Sequence, residues 1–323
     1  MAPAETPPRR RSALLIGAVV AVVAAVALAE VWDTGGVRTW RTVMVAIVVQ
    51  GVPFLVLGTV VSAAIGAFVP DRVFTRVLPK NPALAVPVAG VAGAVLPGCE
   101  CASVPVAGSL MKRGVAPAAA LAFLLSAPAV NPVVLVATAI AFPGEPEMVL
   151  ARLLASLLTA VVMGWLWAAF GRPEWLRLPK GPAGHGEGGA RNPLEEFRRG
   201  LQHDFLQAGG FLVVGAAAAA TFNVLVPPSV LRVFDDSPWL GVPVLALLAV
   251  ILAVCSEADA FVAASLTGFS PVARLAFMVV GPMVDLKLIA LQSGAFGRAF
   301  ALRFSTATFV VAVLASIVIG GAL

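Results

Sequence analysis

Cys99-Glu-Cys-Ala-Ser-Val-Pro-Val-Ala-Gly-Ser-Leu110 is answered 156 residues later by Cys255-Ser-Glu-Ala-Asp-Ala-Phe-Val-Ala-Ala-Ser-Leu266. Cys99, Ala102, Val106, Ala107, Ser109 and Leu110 recur as Cys255, Ala258, Val262, Ala263, Ser265 and Leu266. Lys112 and Arg113 then have no counterpart, after which Gly114, Pro117, Phe123 and Pro128 match Gly268, Pro271, Phe277 and Pro282. Upstream, Gln50, Phe54 and Gly58 match Gln207, Phe211 and Gly215. A duplication that carries thiols and carboxylates inside apolar sequence is the pattern of a transporter built from two related halves.

The composition places those halves in a bilayer. The chain of 323 residues is 60% hydrophobic and 12% charged, with a mean hydropathy of +0.97, whereas soluble domains carry about 25% charged residues. Apolar runs of membrane-spanning length take up most of the chain and leave no room for a sizeable soluble domain. The net charge of +5 comes from Lys and Arg clustered between apolar runs. That reads as positive cytoplasmic loops and gives no nucleic-acid signal. No G-x-x-x-x-G-K-[ST] loop occurs, so any ATP would act through a partner chain.

Arg9, Arg10 and Arg11 ahead of the apolar run Ala13 to Ala29 fit a retained anchor helix or a cleaved signal; either keeps the arginines cytoplasmic. Arg72, Arg76 and Lys80 mark one cytoplasmic loop, and Arg172, Arg177, Lys180, Arg191, Arg198 and Arg199 another. Three full crossings between these loops would put them on opposite sides. The conflict disappears if Ala83 to Met111 enters and returns as a re-entrant hairpin turning at Pro97-Gly98; a long kinked spanning helix is the alternative.

The expected fold is an all-α polytopic membrane protein with an inverted-topology repeat, two re-entrant helical hairpins and about seven full transmembrane helices. Residues 1–40 form the anchor. Residues 41–170 form repeat 1, comprising a helix, the hairpin with Cys99 and Cys101, and two helices. Residues 171–201, rich in Gly, Pro and charge, are a flexible cytoplasmic linker. Residues 202–323 form repeat 2, with Cys255, Glu257 and Asp259 in its hairpin. His185 and His203 each stand alone, and Arg274 reads as an interface anchor.

The hairpin tips carry the chemistry. In extended backbone both thiols of Cys99-Glu100-Cys101 share one face, and a break at Pro97 and Gly98 permits this. An inverted repeat brings equivalent positions together near the midplane, so Cys99, Glu100, Cys101, Cys255, Glu257 and Asp259 form a candidate substrate or metal site. Packing as small buried hydrophobes is the alternative for the cysteines. Thiolates select thiophilic ions such as Zn(II), Cu(I) or trivalent arsenic over Mg or Ca. Asn131 is matched by Asp285, and Lys287 follows deep in an apolar run. These three are candidate coupling or counter-ion groups, Lys287 pairing with Asp285, Glu257 or Asp259 when no cation is bound. Pro128, Pro132 and Pro282 mark further helix breaks.

The stretches Cys99-Glu-Cys-Ala-Ser-Val-Pro-Val-Ala, Arg113-Gly-Val-Ala-Pro117, Ala127-Pro-Ala-Val-Asn-Pro132 and Cys255-Ser-Glu-Ala-Asp-Ala-Phe-Val262 resemble the bacterial predicted-permease family that includes organoarsenical efflux permeases. The likeness runs from about Val43 to the end and is greatest to the branch with a Cys-acid-Cys motif. It implies a multi-pass permease of the bacterial cell membrane, in a branch often encoded beside a second, smaller membrane protein. The expected function is therefore a secondary permease for a thiophilic metal or metalloid, not an enzyme. A membrane dithiol-disulfide oxidoreductase and a non-transporting scaffold for a partner subunit are the alternatives.

Overall fold

The computed structural model describes residues 35–68, 81–95, 100–177, 193–225, 238–256 and 258–322. The N-terminal run, Arg72, Arg76, Lys80, Pro97, Gly98, Cys99, Glu257 and residues 178–192 of the linker, with His185, lie outside the described residues.

Among the described residues there is no strand, and the helices repeat one order. The first half comprises α1 (Gly35–Phe68), α2 (Pro82–Ala92), α3 (Glu100–Lys112), α4 (Pro117–Ser126), α5 (Pro132–Ala141) and α6 (Pro146–Phe170). The second comprises α7 (Pro193–Leu225), α8 (Pro238–Leu252), α9 (Asp259–Ser265), α10 (Pro271–Val280), α11 (Leu286–Phe296) and α12 (Arg298–Gly320). Each half runs long, four short, long. Helices α1, α6, α7 and α12 contain the segments long and apolar enough to cross a membrane.

The chain writes these breaks locally. Among the described residues seven α-helices open on proline, whose fixed φ suits a first turn and whose missing N–H is not needed there. Asn81, Asn131 and Ser270 accept backbone N–H groups ahead of α2, α5 and α10, and Asp285 does so for α11. Pro132 and Asp285 thus split the apolar runs Val115 to Phe142 and Val272 to Phe296 into α4–α5 and α10–α11, where composition alone suggests single helices. Lys287, expected well inside a continuous helix, lies in the first turn of α11.

Equivalent long helices pack against each other antiparallel. In the α1–α7 pair, Trp40 Nε1 donates to Thr221 Oγ1 at one end, and the Phe68 and Phe197 rings lie 5.9 Å apart at the other. In the α6–α12 pair, Trp167 near the end of α6 meets Phe300 and Phe304 at the start of α12. That end of the molecule is the linker face: Arg303 lies over the Trp175 ring at 4.6 Å, Arg172 lies over the same ring, and Arg177 N–H donates to Phe296 O. Arg172, Arg177, Arg298 and Arg303 thus gather on the linker face, whereas Arg38 and Arg41 lie at the other end of the α1–α7 pair. On the opposite face Arg274 lies over the Phe142 ring.

The short helices run between the faces and the interior. Trp165 Nε1, towards the linker-face end of α6, donates to Ala83 O, and Gly93 abuts Ser126 and Ala127 at the α4–α5 break. So α2 descends from the linker face to the middle, and α3 returns from Glu100 to Lys112. On the other side, Gly241 in α8 abuts Phe269 and Ala273, while Ala253 just beyond α8 reaches Lys287. Large apolar side chains such as Val49, Ile140, Phe170, Leu206 and Val318 line the exposed surface, where lipid tails would meet them.

Candidate functional site

The breaks bring four half-helix starts into the interior: Glu100 at α3, Asn131 at α5, Asp259 at α9 and Asp285 at α11. Helix N-termini carry roughly half a positive charge and free N–H groups. A carboxylate or amide at each start is therefore the locally favoured residue. Asn131 Oδ1 accepts from Val134 N–H at 3.0 Å, and Asp285 Oδ1 from Leu288 N–H at 2.6 Å. The equivalent residues thus share a capping role that apolar run lengths do not reveal. Helix α3 packs on α11, and α5 on α9, giving two clusters that each join the two halves.

The first cluster surrounds Lys287. Its Nζ lies 2.6 Å from Glu100 Oε1, 2.8 Å from Ala253 O, 3.3 Å from Asp285 Oδ2 and 4.0 Å from Cys255 Sγ. All of these groups are buried. A lysine in the first turn opposes the helix dipole, so acidic partners are needed to hold it there. The Glu100 contact is close as an ion pair but lacks hydrogen-bond directionality, and Glu100 Oε2 is buried with no hydrogen-bond partner. Ala253 has φ 49°, a left-handed conformation costly for a residue with a Cβ. That turn carries the Ala253 carbonyl, the one Lys287 reaches; a strained backbone of this kind persists only where its surroundings over-determine it.

The second cluster centres on Arg152 of α6. It is fully buried and donates from Nη2 to Asp259 Oδ2 at 2.8 Å and to Ser256 O at 3.2 Å, and from Nη1 to Thr138 Oγ1 at 2.8 Å. The sequence reading did not single out Arg152. The signal was available: one cation in the apolar run Met148 to Phe170, an expensive and by default functional placement.

The predicted site residues divide between these clusters. Glu100, Cys255 and Asp285 meet at Lys287, and Asp259 is held by Arg152. Of the partners proposed for Lys287, Asp285 is joined by Glu100 in place of Asp259. Cys101 is buried, with its sulfur directed at Gly51 of α1. Pro128 and Pro282 lie buried in the breaks, and Pro132 opens α5. Among the described residues no three of His, Cys, Asp and Glu stand close enough to hold a metal ion.

Close helix approach fixes this geometry. A methyl group at Gly58 would overlap the Ala102 backbone, and one at the equivalent Gly215 would overlap the Lys287 backbone. The same glycine of each half thus lets a long helix touch a site-bearing half-helix, α3 in one case and α11 in the other.

A family model described as a predicted permease matches residues 37–321. The chain is 32% identical over 285 residues to UPF0718 protein YcgR of Bacillus subtilis strain 168, covering 87% of this chain and 97% of that protein. It is 28% identical over 284 residues to a Streptococcus mutans protein named as a two-component membrane permease complex subunit, covering 86% and 94%. No solved structure matches the chain.

Proposed function

The chain belongs to the predicted-permease family, and we propose that it is a secondary permease of the bacterial cell membrane, moving a thiophilic metal ion or metalloid through the midplane site. The observation that carries the reading is the shell around Lys287 Nζ. Glu100, Asp285, the Ala253 carbonyl and Cys255 surround one positive charge in a buried pocket. The lysine ammonium occupies the place of a cation. A substrate cation that displaces it meets oxygen and sulfur together, and Cys99, Cys101 and Glu257, on or beside the same loops, add thiol and carboxylate ligands. Sulfur ligands favour Zn(II), Cu(I) or As(III) over hard ions. Thiolates shed protons on binding, so substrate loading and the displaced ammonium offer a link to proton movement.

Alternating access fits an inverted repeat. The antiparallel α1–α7 and α6–α12 pairs support inversion, and the return of α3 to the face where α2 begins supports re-entrant hairpins. Four long helices, the two split pairs and an N-terminal anchor would make seven crossings, with the N-terminus and linker cytoplasmic. The repeats are residues 41–170 and 202–323. A second membrane subunit, suggested by the relative's name, would complete the assembly.

The test is elemental analysis of purified protein equilibrated with Zn(II) or arsenite, alongside flux of the same species into proteoliposomes. Wild type binds and transports, and Cys99→Ser, Cys101→Ser and Cys255→Ser each lose bound metal or metalloid. Full retention by all three variants overturns the ligand assignment.

A further inference from the structure

A cleft of about 480 Å3, counting its open mouth, lies between α3, α7 and α11. Its rim carries Lys112, Asp204 and Gln207; Gly108, Ala208 and Ala295 form its walls, and the buried Val104 and Leu291 form its floor. Val104 is one helical turn from Glu100, and Leu291 one turn from Lys287. The cleft therefore ends directly above the ion pair that joins the two halves. Its rim lies on the linker face, since Phe296 at the end of α11 binds Arg177 through the backbone. The walls are largely apolar, and Asp204 at the rim is held by the buried Ser62 of α1. Ser62 Oγ donates to Asp204 Oδ2 at 2.7 Å and lies 2.8 Å from Ser109 Oγ.

The opposite side is built differently. There α5 and α9 run outward from the middle, and Arg152 ties them together through Thr138 and Asp259 with all three groups buried. Packed alanines, Ala260 and Ala263, flank Asp259.

We infer that the α3–α7–α11 cleft is the vestibule through which a hydrated cation reaches the Lys287 cluster from the linker face, and that the Arg152–Asp259 pair bolts the far side shut. The inference rests on the permease reading. It adds a side of access, a polar station at Asp204 for the incoming cation, and a role for Arg152 as a positioning residue that acts through Asp259. In the opposed state the bolt opens and α3 and α11 close over the cluster.

Cysteine accessibility tests this without any substrate, so its outcome is separate from that of the metal-binding experiment. Gly108→Cys, Ala295→Cys and Ala263→Cys are each introduced into the full chain and exposed, in oriented vesicles, to a membrane-impermeant thiol reagent, with the native protein as background. A Cβ at Gly108 meets only Phe296 at ordinary contact distance. Gly108→Cys and Ala295→Cys label from the linker face alone, and Ala263→Cys labels from neither. Failure of both vestibule positions to label, or labelling of Ala263→Cys as fast as theirs, overturns the proposal.

Asp259→Asn then removes the bolt's charge while leaving Thr138 and Ser256 to Arg152. Labelling at Ala263→Cys from the far face rises by at least about a hundredfold, the low end of the scale set by breaking a buried pair, while Gly108→Cys labelling persists as proof of folding. Arg152→Lys, which keeps the charge on a shorter arm, serves if Asp259→Asn does not fold. An unchanged Ala263→Cys rate in whichever variant folds refutes the bolt.

Discussion

Replacing Lys287 by methionine removes the one cation from a pocket holding Glu100 and Asp285, both fully buried. Methionine keeps the length and volume of the side chain, so little of the effect is lost packing. Asp285 retains a partner, because its Oδ1 still caps α11 through Leu288 N–H. Glu100 does not, since its side-chain oxygens make no hydrogen bond beyond the ion pair. Breaking a buried pair by deleting one member costs about 3–5 kcal/mol, because a charge is left without its counter-charge in a dry site. For a protein of this size that is a fall in Tm on the order of 10 °C. The diagnostic is the double variant Lys287→Met with Glu100→Gln, which removes the stranded charge and recovers about 1–3 kcal/mol of the loss, the range of coupling between groups in contact. Thermal unfolding in detergent can be followed with a thiol-reactive fluorophore, since Cys101 and Cys255 are buried in the folded chain. A single variant within about 0.5 kcal/mol of wild type, the scale of changes remote from any special feature, would refute the pocket described here. So would a double variant whose losses simply add.

Gly58→Ala and Gly215→Ala each lose about 1–3 kcal/mol through forced separation of the helices, whereas Gly210→Ala, which meets open space, is neutral or gains up to about 1 kcal/mol; the same unfolding assay compares them. Ala253→Gly stays within about 1 kcal/mol of wild type, as relief of the left-handed backbone offsets the entropy of glycine, and Ala253→Val is markedly less stable. Asn131→Ala loses the cap on α5 and about 1 kcal/mol of stability but keeps transport in proteoliposomes. Asp285→Asn keeps the equivalent cap and loses transport, because the amide still accepts from Leu288 N–H while the charge beside Lys287 is gone.

Much of this architecture is written along the chain. The repeat follows from matched residues such as Cys99 and Cys255 or Gly58 and Gly215, and the all-helical membrane class follows from composition. The re-entrant reading rests on charge: the loop of Arg72, Arg76 and Lys80 and the loop from Arg172 to Arg199 share a side only if Ala83 to Met111 enters and returns. The splits at Pro132 and Asp285 were half legible. Pro132 and Pro282 advertise breaks, but an aspartate acts as an N-cap only if its backbone leaves the helix, and a proline three residues before Asp285 does not decide between a kink and a new helix start. Arg152 stands out in the sequence as a lone cation in an apolar run, but it has no part in the repeated motif that carries the thiols.

The residue order alone marks thiols and carboxylates inside apolar segments of both halves, beside prolines that interrupt helices. Helix starts, breaks and burial depend on local backbone chemistry and on hydrophobicity, which are properties of short segments. The pairing of Glu100 with Lys287 and of Arg152 with Asp259 comes from the packing of helices distant in the chain. A buried charge takes whichever opposite charge packing delivers within a few ångströms, and that choice is set by which helices touch. Gly58 and Gly215 let α1 come close to α3 and α7 close to α11, a distance that no periodicity in the chain encodes.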